Sequence, residues 1–402
     1  MYQNCIVQPD ENGVWINNQN LFVSTDNYSM EYRVFRDGEL IFSGNDSAEV
    51  QPQSKKYKNI DYPEFKEEGE YLYRISLCLS ENTSWENKGY EVAYGEFIVK
   101  KSSGNKKPVE TSSTKDLRFV KGDGNVGFHT DHTSVLFSVA EGGIASYKID
   151  GVEYIKRSAK PIYWRASTDN DRGNNDVFLG SQWSMASKFQ KLIDFTVDKI
   201  EECYQLVYTF MTPTTPTTTS KVTYTVDLNC NISVKMHYFG QKGLVMLPLY
   251  GMEFQMIPEL KYFSWYGLGP DENYIDRAAG AKLGKYEKNV RDNLSKYIVP
   301  QECGNRTGVR SAKVYDEAGR GIEFTAMNAP FEFNALPYST SSLENALHIE
   351  ELPPITSTFV RIVGKQMGVG GDDSWGAPVQ PEYCISGEED IEFEFMISSI
   401  HE

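Results

Sequence analysis

The chain has 402 residues, 40% apolar and 24% charged, with 25 Tyr, 21 Phe and 6 Trp and a net charge of −16. That length accommodates two or three domains and at least one sizeable core, and an aromatic share of 13% excludes a disordered or fibrous chain. An acidic excess repels phosphate backbones and anionic headgroups, which makes nucleic acid and membrane surfaces poor partners. No stretch reaches the roughly 18 to 20 uninterrupted apolar residues of a spanning helix, and Met1 to Asn12 has neither a basic nor an apolar leader region, so the expectation is a soluble, unexported, cytoplasmic protein. Six scattered cysteines without a C-x-x-C pair read as free thiols.

Taken in chain order, strand-type alternation dominates. Asp37-Gly38, between Met30 to Arg36 and Glu39 to Phe42, is a two-residue hairpin signal, because glycine supplies the positive φ such turns require. From Tyr71 to Ser80 the odd positions are apolar, the period of a strand with one face inward. Ser102 to Thr114 is polar, rich in Ser, Thr, Gly and Lys, and without apolar period; it reads as a linker. Asp150-Gly151 marks a second hairpin. The Thr/Pro-rich stretch Thr212 to Ser220 predicts an exposed loop before the strand pair Lys221 to Leu228 and Ile232 to Phe239. Helical periodicity is scarce: Leu179, Trp183, Ala186 and Phe189 could line one side of a short helix, and Lys285 to Lys296 is a weaker candidate.

The resulting expectation is an all-β protein. Residues 1–103 have the size of an immunoglobulin-like sandwich, residues 104–114 form the linker, and residues 115–402 make a large two-sheet sandwich. Neither an internal repeat nor a run of eight strand-helix units is visible.

Several motif matches fail on chemistry. Gly122 to Gly127 fits G-x-G-x-x-G but leads into strand-like alternation, not a helix, and reads as a turn. Asp169-Asn170-Asp171 resembles a calcium loop, yet the position wanting a bidentate Glu is Gly180. His129 and His132 stand three apart, which in a strand sends them to opposite faces, so no metal is expected there.

Three segments carry more. Tyr163 to Asn175 packs two aromatics, two Arg, two Asp and three Asn into thirteen residues, a composition that fits either a functional loop or a well-satisfied polar turn. Trp265 to Arg277 combines aromatics, a Gly-Pro corner and carboxylates, and reads as a structural turn. Met367 to Gly376 places three glycines within four residues before Trp375, a residue that composition allows either at a loop tip, where an indole stacks on the C–H face of a sugar, or folded onto its own core.

Together WRASTDNDRGN, WYGLGPDENYIDR and MGVGGDDSWG, in this order and spacing, resemble the C-terminal part of the glycoside hydrolase family 2 β-galactosidases, and Trp85 to Ala93 is similar to a signature of the domain before it. The resemblance implies that residues 115–402 form the family's terminal small-chain domain, a supersandwich of the galactose-mutarotase type, and residues 1–102 the preceding immunoglobulin-like domain. It implies hydrolysis of β-galactosides with retention by two Glu on a (β/α)₈ barrel that this sequence lacks, so no residue here is assigned a catalytic role. The resemblance further implies that Trp375 binds sugar, that Gly173, Asn174 and Asn175 belong to a loop closing over the site, and that Arg165, Asp169, Asn170, Asp171, Asp372 and Asp373 support these motifs. No metal site is expected in this chain; magnesium and sodium belong mainly to the missing portion. The implied partner is a barrel-containing portion, whether the chain is a split-enzyme small subunit or a C-terminal fragment. A mutarotase-like enzyme and a stand-alone carbohydrate-binding protein are the competing readings; the first needs a His and a carboxylate in one cleft.

Overall fold

The computed structural model describes residues 2–101, 117–373 and 376–401. The linker assigned to residues 104–114 lies outside them. The chain divides into two compact units, Met1–Ser112 and Ser113–Glu402, almost entirely of antiparallel strands.

In the first unit, one sheet has the order Cys5–Pro9, Gly13–Asn18, Ser54–Asn59 and the other Glu39–Ser47, Tyr28–Arg36, Gly69–Leu79, Glu91–Lys101. Val7, Val14 and Ile16 from the first pack with Met30, Ile75 and Leu77 from the second, so the unit is a β-sandwich. The predicted hairpin is present, with Asp37 at φ 49° and Gly38 at φ 81°. The expectation that Tyr71 to Ser80 buries one face is corrected. Gly69–Leu79 is a central strand, and Leu72, Ser76 and Cys78 are buried along with the odd positions. Alternation alone does not distinguish a central strand covered on both sides from a half-exposed one.

The second unit holds three sheets around one core. A five-stranded sheet runs from Arg118–Lys121 through Asn125–His129, Thr133–Ser138 and Ile144–Ile149 to Val152–Glu153. A nine-stranded sheet has the order Lys191–Ile200, Cys203–Met211, Thr219–Val226, Ile232–Tyr238, Ile391–Ile400, Gly321–Ala326, Ser311–Tyr315, Tyr262–Gly269, Lys282–Asn289. The other five-stranded sheet has the order Ile155–Ile162, Leu249–Met256, Thr358–Gln366, Phe331–Leu336, Arg306–Val309. Phe128, Tyr224, Met252, Phe263, Phe333, Ile362 and Phe395 belong to the shared core. Alternation is clean where a sheet has one face in this core: in Thr219–Val226 the residues Ser220, Val222, Tyr224 and Val226 are buried, and those between them are not.

The last-named sheet positions the candidate site. Its core face carries Met252, Phe254, Val360, Ile362, Phe333 and Ala335. Its opposite face carries a row of polar register partners, Lys160, Glu253, Arg361 and Asn334. Arg361 forms two bonds to the buried Glu302 carboxylate, at 2.8 and 2.9 Å, which satisfies both charges in a low-dielectric setting.

Three local expectations need correction. Lys285 to Lys296 is not helical: Lys282–Asn289 is an edge strand paired to Tyr262–Gly269, followed by a single 3₁₀ turn at Arg291–Asn293. Pairing overrides the weak helical period. Helix Ser181–Phe189 is present with Trp183 and Ala186 buried, but Leu179 precedes it and both Leu179 and Phe189 are exposed. Thr212 to Ser220 is only partly an exposed loop: Thr212, Thr214 and Thr218 are buried because their hydroxyls bond within the segment and to Phe239 O.

Candidate functional site: a clamped glycine-rich loop

Ile155–Ile162 and Thr358–Gln366 both pair antiparallel with Leu249–Met256, with Ile162 opposite Gly251 and Gln366 opposite Leu249. Two strands flanking the same neighbour therefore leave the sheet at the same end. One continues into Tyr163 to Asn175, the other into Met367 to Gly376. Sheet register alone brings two of the three motifs together.

The polar density of the first motif is spent on local structure and on gripping the third. Asp169–Gly173 is a short helix, not an open loop, started by a reciprocal cap in which Thr168 Oγ1 accepts from Asp171 N (3.1 Å) and Asp171 accepts from Thr168 N (3.0 Å). The same Asp171 takes a two-pronged bond from the buried Arg165 guanidinium, at 2.9 and 3.2 Å. Burial works against the charge on Arg165, but Asp171 outweighs it and raises the pKa. Arg165 then donates to Met367 O and, at 2.7 Å, to Gly368 O.

The second motif supplies the complementary half of the grip. Asp276 Oδ2 accepts from Val369 N and from Gly370 N, both at 2.8 Å. Four consecutive residues of the loop are thus held by two charged side chains, carbonyls by the cation and amides by the anion. Gly368 sits so close that a Cβ would lie 2.8 Å from Asp276 Oδ2, which excludes any side chain there without displacement. Asp276 is a site residue that sequence reading missed. It stood inside a motif interpreted as a structural turn, and no local pattern shows that a side chain reaches 93 residues forward.

The remaining predicted residues fall as follows. Asp169 exchanges two 3.0 Å bonds with Gln301. Asn170 Nδ2 donates to Asp373 O at 3.3 Å, a direct link between the first and third motifs. Asp372 accepts from Gln380 Nε2 at 2.8 Å, and Asp373 accepts from Ala377 N at 3.2 Å. Asn174 closes a small ring with Asp176, and Asn175 adopts φ 66°. Gly376 has φ 120°, and a Cβ there would meet Gly173 O at 2.6 Å. The segment around Gly173 therefore lies against the residue next to Trp375. Trp375 itself, with Ser374, lies outside the described residues.

Beneath the loop the support is half-buried and charged. Glu344 accepts from Trp164 Nε1 (3.0 Å) and Ser167 Oγ (2.7 Å), which fixes the start of the first motif. Glu332 accepts from Asn305 Nδ2 at 2.6 Å and from Gln366 N at 3.2 Å, one residue before the loop. Burial pushes its carboxyl up to about 7, against the pull of these bonds. His129 and His132 do not converge: His129 pairs with Ser134 and His132 with Asp150. No group of three or more metal-ligating side chains occurs among the described residues, and none of the six cysteines is in a disulfide.

This is a rigid mount for a loop, built by three distant segments on an all-β scaffold. Comparison with known proteins then places the chain. The family described as "Beta galactosidase small chain" matches residues 129–397, and that described as "Beta-galactosidase, domain 4" matches residues 14–100. The chain belongs to the β-galactosidase family. A β-galactosidase from Halalkalibacterium halodurans is 38% identical over 100% of this chain, which covers 40% of that protein. One from Clostridium acetobutylicum is 44% identical over 71% of the chain and 32% of its own length. A β-galactosidase small subunit from Latilactobacillus sakei is 35% identical over 71% of the chain and 99% of its own length. The chain thus spans about 40% of the first of these relatives. Among solved structures, the galactose 1-epimerase of Lactobacillus acidophilus NCFM resembles 72% of the chain and is itself covered in full, at 9% identity and a TM-score of 0.42.

Proposed function

We propose that this chain is the non-catalytic portion of a β-galactosidase, completing a sugar-binding site whose barrel and reacting carboxylates are supplied by another portion, either as a split-enzyme small subunit or as the C-terminal part of a longer chain. The observation that carries the reading is the clamp: Arg165 and Asp276 fix Met367 to Gly370 by main-chain bonds, which makes the loop leading to Trp375 a rigid arm able to present a side chain to a neighbour. Trp375 is the residue that would stack on the sugar, with Gly173, Asn174 and Asn175 alongside it. Exposed Phe178, at 81%, and Leu179, at 60%, in the short helix directly after Asn175 are the apolar side chains that the other portion would cover. Magnesium and sodium would be held mainly by that portion. The cytoplasm is the proposed place of action.

The test is complementation. Hydrolysis of an aryl β-galactoside is measured for this chain alone, for the barrel portion of a relative alone, and for the two combined. The expected result is activity only in the combination; hydrolysis by this chain alone would refute the assignment of the reacting carboxylates to the partner. The mutarotase-like alternative needs a His and a carboxylate in one cleft. The large cleft of the second unit presents carboxylates but no histidine among its described lining residues.

A further inference from the structure

On the polar face of the sheet that carries the loop lies a cleft of about 660 Å³, within the range of small-molecule sites of roughly 300–1,000 Å³. None of the residues Met367 to Asp373 lines it, so it is a different place from the clamped arm.

Lys160 and Glu253, from the row of register partners on that face, line it. Arg361 is committed at both ends to Glu302. Its neighbour across the ladder, Glu253, makes no hydrogen bond or ion pair among the described residues, although burial raises the pKa of its carboxyl. Lys160, opposite Glu253 on the other side, is likewise without a partner. A carboxylate and an ammonium side by side, both half-buried and neither bonded to the other, leave acceptor and donor capacity directed at the same space. The charged lining residues balance, with Glu141, Glu253 and Glu344 against Arg157, Lys160 and Lys188, so the cleft selects neither a polyanion nor a polycation. Ser339, Thr340 and Ser341 add hydroxyls at one wall, and half-buried Phe359 adds an aromatic face.

Mixed donors and acceptors, neutral charge and an aromatic side chain match a ligand whose own groups both donate and accept around an apolar C–H face. We propose that this cleft binds a neutral saccharide, with Glu253 and Lys160 as its hydrogen-bonding centre, independently of the sugar site completed by the glycine-rich loop. The inference rests on the cleft alone and does not require the reading of Trp375.

The experiment titrates the full chain, without a barrel portion, with lactose and with galactose, followed by calorimetry and saturation-transfer NMR. The expected result is saturable binding with a dissociation constant on the order of 1 mM, weakened at least about tenfold by Glu253→Leu and by Lys160→Met, with unchanged circular dichroism confirming the fold. If Glu253→Leu fails to fold, Lys160→Met and Phe359→Ala carry the test. Absence of saturable binding by both sugars overturns the proposal. So does binding that survives the cleft variants and is lost in Trp375→Ala, which would move the saccharide to the loop. Failure of complementation leaves this measurement untouched, because no partner is used.

Discussion

Replacement of Asp276 by Ala tests whether the loop is held as the geometry requires. The carboxylate accepts two amide bonds at 2.8 Å. A bond to a charged group contributes about 1.5–3 kcal/mol net, but Val369 and Gly370 are only half-buried, so water recovers part of the loss once the loop opens. A cost of about 3 kcal/mol for the pair follows, or roughly a hundredfold in the local opening equilibrium. Native-state hydrogen exchange of the whole chain reads this directly: the amides of Val369 and Gly370 should exchange about a hundredfold faster, while core amides such as those of Val360 and Ile362 keep their protection. Asp276→Asn keeps an acceptor oxygen and should lose only about half as much. Unchanged exchange at Val369 and Gly370 in Asp276→Ala would show that these bonds do not hold the loop, and the rigid-arm argument would fail with them.

In a complemented enzyme, Trp375→Ala should weaken sugar binding by about 1–3 kcal/mol, the transfer value of a large apolar side chain; unchanged Michaelis constant and turnover would remove Trp375 from the site. Glu332 has its folded pKa raised to about 7 from 4.5. The folded state therefore holds this proton more tightly than the unfolded chain does. The associated stability is fully present below about pH 4.5, is lost as pH rises to about 7, and totals at most about 3 kcal/mol. Glu332→Gln should flatten that decline in urea unfolding measured across this window, and a slope identical to that of the parent would refute the shift. Paired changes Phe178→Ser and Leu179→Ser should leave the chain's own stability within about 0.5 kcal/mol yet weaken its association with a barrel portion; equal association, measured by analytical ultracentrifugation, would place the interface elsewhere.

Much of the architecture follows from local pattern. The Asp37-Gly38 and Asp150-Gly151 turns are where positive φ is inexpensive, and both occur with φ near 50° then 80°. The strand pair predicted over Lys221 to Leu228 and Ile232 to Phe239 is found as Thr219–Val226 and Ile232–Tyr238, because each shows one face to the core. The same rule misread Gly69–Leu79, since a central strand covered on both faces still alternates in its larger side chains. Lys285 to Lys296 misled because a short run cannot state which edge will pair with it. The motif residues were recognisable as a set, but their roles were not. Arg165 and Asp171 are six residues apart and form a pair that a reader could guess. The backbone that gives them meaning, at Met367 and Gly368, is 202 and 203 positions from Arg165, and Asp276 grips the same loop at Val369 from 93 positions away.

That division has a physical origin. Sequence by itself determined what depends on a residue and its near neighbours: turn chemistry, the strand period, the all-β class, and a motif set specific enough to mark the family. Tertiary structure alone decided which charges meet, because a carboxylate becomes a clamp only when sheet register carries a distant backbone within hydrogen-bond reach. The same register left Glu253 and Lys160 unspent beside a cleft, which no linear pattern announces.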